Sequence, residues 1–163
     1  MRLPHDFFNR PTLDVAQDLL GKTLVVGAHS GIINETEAYN QEDPASHAFN
    51  GRKSARNETM FRRAGHLYVY FIYGVHYCAN IVTEDEGRGC AVLLRGVVGI
   101  NGPGRLCKAF GLNKSHNGID LTDRNSPIYI EDRGHTFSSI KTTPRIGISK
   151  AESLHWRFIG TNP

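Results

Sequence analysis

The feature that most constrains the fold is the run Leu67-Tyr68-Val69-Tyr70-Phe71-Ile72-Tyr73, closed at once by Gly74. Aromatic and β-branched side chains suit a pleated, half-buried surface, and a run this short bounded by glycine predicts a strand. Gly74 and Val75 let the chain turn back into a second strand over 77–82, so the pair forms a hairpin. The period of two puts Tyr68, Tyr70 and Ile72 on one face and Leu67, Val69 and Phe71 on the other, with Tyr73 at the tip. Tyr70 and Tyr73 therefore have different jobs.

The remaining elements follow from the same local signals. After Pro11-Thr12, the residues Val15, Ala16, Leu19 and Leu20 recur at helical spacing, with Thr12 as cap and Gly21 as stop. Residues 22–26 and 32–37 read as a hairpin with its turn at 27–31, which leaves Glu37 at a strand end. Residues 40–56 are rich in Gly, Pro, Ser and Asn and predict a surface loop carrying His47, Arg52, Lys53 and Arg56. A charged turn at 84–89 precedes an apolar strand, 90–95, ending at Arg95. The Gly-rich stretch 96–104 leads into a short helix punctuated at Gly111. Its glycines suit either phosphate binding by free amides or a plain connection. Residues 128–131, 144–148 and 156–159 read as strands. With no internal repeat, the expectation is one α+β domain over 1–163: a largely antiparallel, curved β-sheet with a protruding β-hairpin and a few short helices.

A length of 163 residues suffices for a real core, and 39% hydrophobic with 21% charged residues belongs to a globular chain. The net charge of +3 permits nucleic-acid binding without requiring it. Three cysteines without a CxxC pair predict a reduced, intracellular protein. The N-terminus carries no apolar signal core, and no stretch approaches the roughly 18 apolar residues of a membrane helix. Among the eight histidines only His76, two residues from Cys78, offers a close ligand pair; without HExxH or CxxC, no metal is expected. GxSxG is absent, which excludes a nucleophile elbow.

Between Ile33 and Arg95, acid, tyrosines and arginine on neighbouring strands predict a pocket for flat, polar-edged rings such as nucleobases. Glu37 is a candidate general base whose charge would also stabilise a cationic sugar; a Glu at a strand end is otherwise simply solvated. Arg95 either pairs with Glu37 or covers the sheet edge. Tyr39, Tyr70 and His47 are candidate pocket walls, with cation–π attraction for a charged ring, or plain packing. Tyr73 has the form of a wedge for a base stack. Arg52, Lys53, Arg56, Arg62 and Arg63 either contact phosphates or form a solvated face.

The motifs Glu35-Thr36-Glu37-Ala38-Tyr39, Ala45-Ser46-His47, Tyr68-Val69-Tyr70, Tyr73-Gly74, Asn80-Ile81, Leu93-Leu94-Arg95, Gly102-Pro103-Gly104 and Pro144-Arg145-Ile146-Gly147 occur in an order that resembles the alkyladenine (3-methyladenine) DNA glycosylases. The resemblance runs from Thr12 to Phe158. It implies a monofunctional enzyme of base excision repair that flips a damaged purine out of double-stranded DNA and hydrolyses its glycosidic bond without a cofactor. It further implies Glu37 as general base, Arg95 as its partner, and Tyr39, His47 and Tyr70 as walls. Tyr73 matches the intercalating tyrosine, Asn80 the asparagine that disfavours guanine, and Arg52, Ser54 and Lys114 the positions near phosphate. The implied substrates are 3-methyladenine and 7-methylguanine, with hypoxanthine and ethenoadenine in many members.

Two departures stand out. By the resemblance, family members usually carry a long charged helical segment where residues 96–101 make a short bridge, and the first hairpin reads as short. Chemistry should survive these deletions, at a cost in DNA affinity or stability. A monomer is expected. The alternative is a non-catalytic module that binds distorted DNA or RNA.

Overall fold

The computed structural model describes residues 1–162. Its elements run α1 (His5–Phe8), α2 (Thr12–Asp18), β1 (Thr23–Val26), β2 (His29–Tyr39), β3 (Leu67–Ile72), β4 (His76–Val82), β5 (Ala91–Val97), β6 (Ile100–Asn101), α3 (Pro103–Phe110), β7 (Ile128–Glu131), β8 (Ser139–Thr143) and β9 (Arg157–Thr161). The architecture is α+β, with a curved, nine-stranded sheet in which every described pairing is antiparallel. The strand order β3-β4-β5-β2-β1-β7 is branched, because β9 also pairs with β2 and β8 with β9.

The alternation expected of residues 67–73 divides the sheet into two faces. Leu67 and Val69 of β3, Ala79 and Ile81 of β4, and Val92 and Leu94 of β5 join one buried cluster with Val15 and Ala16 of α2, Leu19 just after it, and Leu106, Cys107 and Phe110 of α3. Seven or eight residues make marginal helices by themselves, so burial of these apolar stripes holds α2 and α3 in place. The opposite face carries Tyr68, Tyr70, Cys78, Asn80, Leu93 and Arg95 and lines a cavity.

Several local expectations are corrected. Thr12 does not cap α2 with its side chain; it lies inside the helix. The cap comes from Glu84, whose carboxylate accepts the Thr12 amide at 3.0 Å and the Thr12 hydroxyl. The first turn contains only Gly27 and Ala28, because residues 29–31 already belong to β2 and pair with β1. β5 continues past Arg95 to Val97 and returns through a tight turn into β6. Residues 144–148 form an irregular segment, not a strand, while the polar, exposed β8 was not legible as a strand.

The hairpin tip also differs in detail. Tyr73 and Gly74 both have positive φ, 56° and 66°, and the Val75 amide returns to the Ile72 carbonyl at 3.2 Å. Two left-handed residues match the right-handed twist of a hairpin. Glycine accepts that conformation readily, whereas tyrosine is strained in it, and such strain collects at functional sites.

Replacing Glu84 by Ala should lower unfolding stability by about 1–2 kcal/mol, since two donors at the start of α2 lose their acceptor. An unchanged urea midpoint would show that the distant cap contributes nothing.

Candidate active site

The sheet register assembles the site in a single cross-strand row. Tyr68 pairs with Asn80, Asn80 with Leu93, Leu93 with Glu37 and Glu37 with Arg157. Since residues in register share a face, a phenol, an amide, a carboxylate and a guanidinium line up across β3, β4, β5, β2 and β9.

Two irregularities adjust this row. β2 and β5 pair Ile33 with Val97, Glu35 with Gly96, and Thr36 with Leu94. Asn34 is therefore the extra residue on β2 and Arg95 the extra residue on β5. Each is a bulge that breaks strict alternation, and the second re-aims Arg95 toward the carboxylates of β2.

Glu37 has no solvent exposure, which sets it apart from the solvated strand-end glutamate. Its Oε1 accepts the Tyr39 hydroxyl at 2.7 Å and its Oε2 the Ile146 backbone amide at 2.8 Å. Arg95 Nε lies 3.7 Å from Oε2, an ion-pair distance rather than a hydrogen bond. The direct partner of Arg95 is Glu35, at 2.9 Å, and Arg157 Nε reaches the same Glu35 oxygen at 2.9 Å. Burial alone would raise the Glu35 carboxyl, but the two guanidiniums outweigh it and hold the group below the usual carboxylate range. The expected Arg95–Glu37 pair is thus present only at longer range, and Glu35 was missed although it sits in the same motif.

Tyr39 is more than a wall. Burial, and next the Glu37 charge, push its phenol well above the usual tyrosine value, so it stays a proton-bearing donor to the carboxylate. Across the cavity, the His47 ring packs against Tyr70 with centroids 4.5 Å apart, and His47 Nδ1 lies 3.1 Å from the Tyr68 hydroxyl. Tyr70 follows Tyr68 at 5.3 Å. Asn80 is 4% exposed, and its amide nitrogen is directed at the Tyr68 carbonyl, 3.2 Å away. Tyr73, 79% exposed, stands at the mouth of the same cavity, which measures about 690 Å³.

The structure therefore gathers Glu37, Arg95, Tyr39, His47, Tyr70, Asn80 and Tyr73 on one cavity. Arg52, Ser54 and Lys114 are exposed and lie off its lining. Arg52 and Ser54 belong to a turn organised by Asn57, which donates to the Arg52 and His47 carbonyls and accepts the Ser54 amide. Part of the basic run is engaged within the protein: Arg62 pairs with Glu58, and Arg56 donates to the Phe71 carbonyl. The residues that sequence reasoning missed are Glu35, Arg157, Asp43 and Arg145. Arg145 forks onto Asp43, and neither side chain has any exposure. Among the described residues no cluster of three or more His, Cys, Asp or Glu side chains is arranged to hold a metal ion. No described helix is long and apolar enough to cross a membrane.

Replacing Glu35 by Gln should cost about 1.5–3 kcal/mol near pH 7, because two charge-assisted bonds are lost. A carboxyl lowered by folding contributes its full stability above its unfolded value and loses it as pH falls through the folded one. The gap between wild type and variant in urea unfolding should hence shrink on acidification; a gap constant to about pH 2 would refute the ion-pair account.

With this geometry in place, comparison with known proteins is direct. The family described as "Methylpurine-DNA glycosylase (MPG)" matches residues 6–100 and 98–163, a match whose two parts meet at the β5–β6 turn. A protein of Wolbachia pipientis wMel is 48% identical over 96% of this chain and 89% of its own length. One of Rickettsia felis is 45% identical over 98% and 93%, and one of Ehrlichia ruminantium (strain Welgevonden) 44% identical over 96% and 88%. All three are named as 3-methyladenine DNA glycosylases. Matches of this extent establish that the chain belongs to the methylpurine-DNA glycosylase family.

Proposed function

We propose that this chain is a monofunctional 3-methyladenine DNA glycosylase acting in base excision repair, which hydrolyses the N-glycosyl bond of a damaged purine flipped from double-stranded DNA. The observation that carries the reading is the Glu37 carboxylate, buried in the cavity wall and held by a phenol and a backbone amide. On this reading Glu37 takes a proton from water as that water attacks the sugar carbon, and its charge stabilises the oxocarbenium-like transition state. Arg95 brings positive charge to within 3.7 Å of that carboxylate. The products are free base and an abasic site.

Flipping is assigned to Tyr73, whose exposed ring fills the gap left in the stack, at a cost that is smallest at a damaged pair. Tyr39, His47 and Tyr70 hold the flipped ring. Asn80, fixed to the strand by its amide, would resist swinging aside for the exocyclic amino group of guanine. Arg52, Ser54 and Lys114 are proposed to meet phosphates, an assignment resting on their motif positions and exposure. The short β5–β6 turn leaves Arg95 in place, since the Gly102 amide returns to the Arg95 carbonyl at 2.8 Å. Its proposed costs are weaker DNA affinity or lower stability than in a longer relative. One copy of the chain suffices for this mechanism, and it draws on no cofactor.

Glu37→Gln should slow base release by about 100- to 10,000-fold, the span of a general base, while leaving binding of a lesion duplex intact. The assay incubates both proteins with duplexes bearing hypoxanthine or ethenoadenine and with methylated DNA, then scores free base and alkali-labile sites. Tight binding by wild type without any release would favour a non-catalytic module.

A further inference from the structure

We propose, resting on the glycosylase reading, that the buried Asp43–Arg145 pair is a positioning device for the reaction: it locks the segments on either side of the cavity together and thereby keeps the Ile146 amide on Glu37.

Arg145 follows β8 by two residues and Asp43 follows β2 by four, so the pair joins segments 102 residues apart in sequence. Both side chains are fully buried and meet through two hydrogen bonds. The guanidinium also donates to the Ala38 carbonyl of β2 at 3.0 Å and stacks between the Tyr39 and Trp156 rings, at 4.8 and 5.2 Å. Asp43 in turn accepts the Ala45 amide on its side chain at 3.0 Å and the Ser46 amide on its carbonyl at 2.9 Å, which shapes the turn leading to His47. One peptide beyond Arg145, the Ile146 N–H meets Glu37 Oε2.

Little else holds that amide in position. Residues 144–148 form no strand, and Ile146 and Gly147 are exposed. Among the described hydrogen bonds, those of residues 144–150 belong to Arg145 or to the Ile146 amide, apart from the Thr143 hydroxyl on its neighbour's carbonyl. A buried ion pair is weak evidence for stability, because apolar packing of equal volume often serves as well. What apolar packing lacks is direction. A planar guanidinium engaged bidentately, and donating at right positions to a strand carbonyl, fixes the orientation of its own backbone. Catalytic geometry is sensitive at that scale, since a displacement of about 1 Å can cost about 100-fold in rate.

The groups facing Glu37 are Glu35 and Tyr39 on its own strand, Cys78 on β4, Arg95 on β5, Arg157 on β9, and Arg145 beyond the Ile146 peptide. If Arg145 loses its grip, the carboxylate loses the Ile146 donor while the other groups remain. The ionised form is then less favoured, and the acidic limb of the pH–rate profile moves to higher pH.

The test compares wild type, Arg145→Lys and Asp43→Asn with Leu24→Ala, a core truncation on β1 away from the cavity. Single-turnover base release is followed across pH, binding is measured on a duplex with a stable abasic analogue, and the Glu37 carboxyl is titrated by 13C NMR. Arg145→Lys and Asp43→Asn should release base about 100-fold more slowly near neutral pH, with duplex affinity within about threefold of wild type. Their acidic limb and Glu37 titration should both move upward. Leu24→Ala should lower Tm without moving either. Rates that merely follow Tm as in Leu24→Ala, variants that fail to fold where Leu24→Ala folds, or an unmoved Glu37 titration would each overturn the proposal. Absence of release by wild type itself would refute the glycosylase reading, while the carboxyl titration would still decide whether the pair holds the amide.

Discussion

A carboxylate with no exposure to water dictates much of this structure. An ionised group in the interior persists only where donors replace its hydration, and each donor has to arrive with correct geometry. Glu37 receives one donor from its own strand, Tyr39, and one from a segment more than a hundred residues later, Ile146. Arg95 adds positive charge from the neighbouring strand without taking a hydrogen-bonding lone pair at close range. β2, β5 and the segment after β8 must all be in register before Glu37 can be buried at all, so the fold and the site stand or fall together.

β2 is where these requirements meet. Its eleven residues pair with β1 and β9 along one edge and with β5 along the other. The bulges at Asn34 and Arg95 divide its work. Ile33 before them and Ala38 beyond them join the core, Glu35 sits between them, and Glu37 and Tyr39 line the cavity. Glu35 absorbs the direct hydrogen bonds of both Arg95 and Arg157, which leaves Glu37 with neutral donors at bonding distance.

What the sequence made legible was local. The alternation in residues 67–73 identified β3, its faces and the hairpin, and the spacing of Val15, Ala16 and Leu19 identified α2, because both patterns follow from backbone periods. Misreadings came where long-range partners decide. Thr12 looked like a cap because its type suits one, but Glu84, 72 residues away, supplies the acceptor. Residues 144–148 look like a strand by composition, yet Arg145 is drawn inward to Asp43 and the ladder ends at Thr143. β8 is nearly all exposed, so no apolar alternation announced it. The choice of Glu35 over Glu37 as the close partner of Arg95 was equally illegible, since the two acids are separated by one residue and a bulge decides which one Arg95 meets.

On the proposed reaction, the cavity offers few groups that could serve as an acid. Burial raises the Tyr39 and Tyr70 phenols well above the usual range, pushes Tyr68 up to about 12, and raises the Cys78 thiol as well. The Tyr39 proton is further committed to Glu37. Such groups are poor proton donors near neutral pH, and a departing base would obtain little acid catalysis from them. On the proposed reaction, an alkylated purine such as 3-methyladenine already carries the positive charge that makes it a good leaving group, and electron-rich rings on the walls favour that charge. Hypoxanthine is neutral and would need protonation from a group outside this set. Within that proposal, firmly protonated phenols suit cationic lesions better than neutral ones.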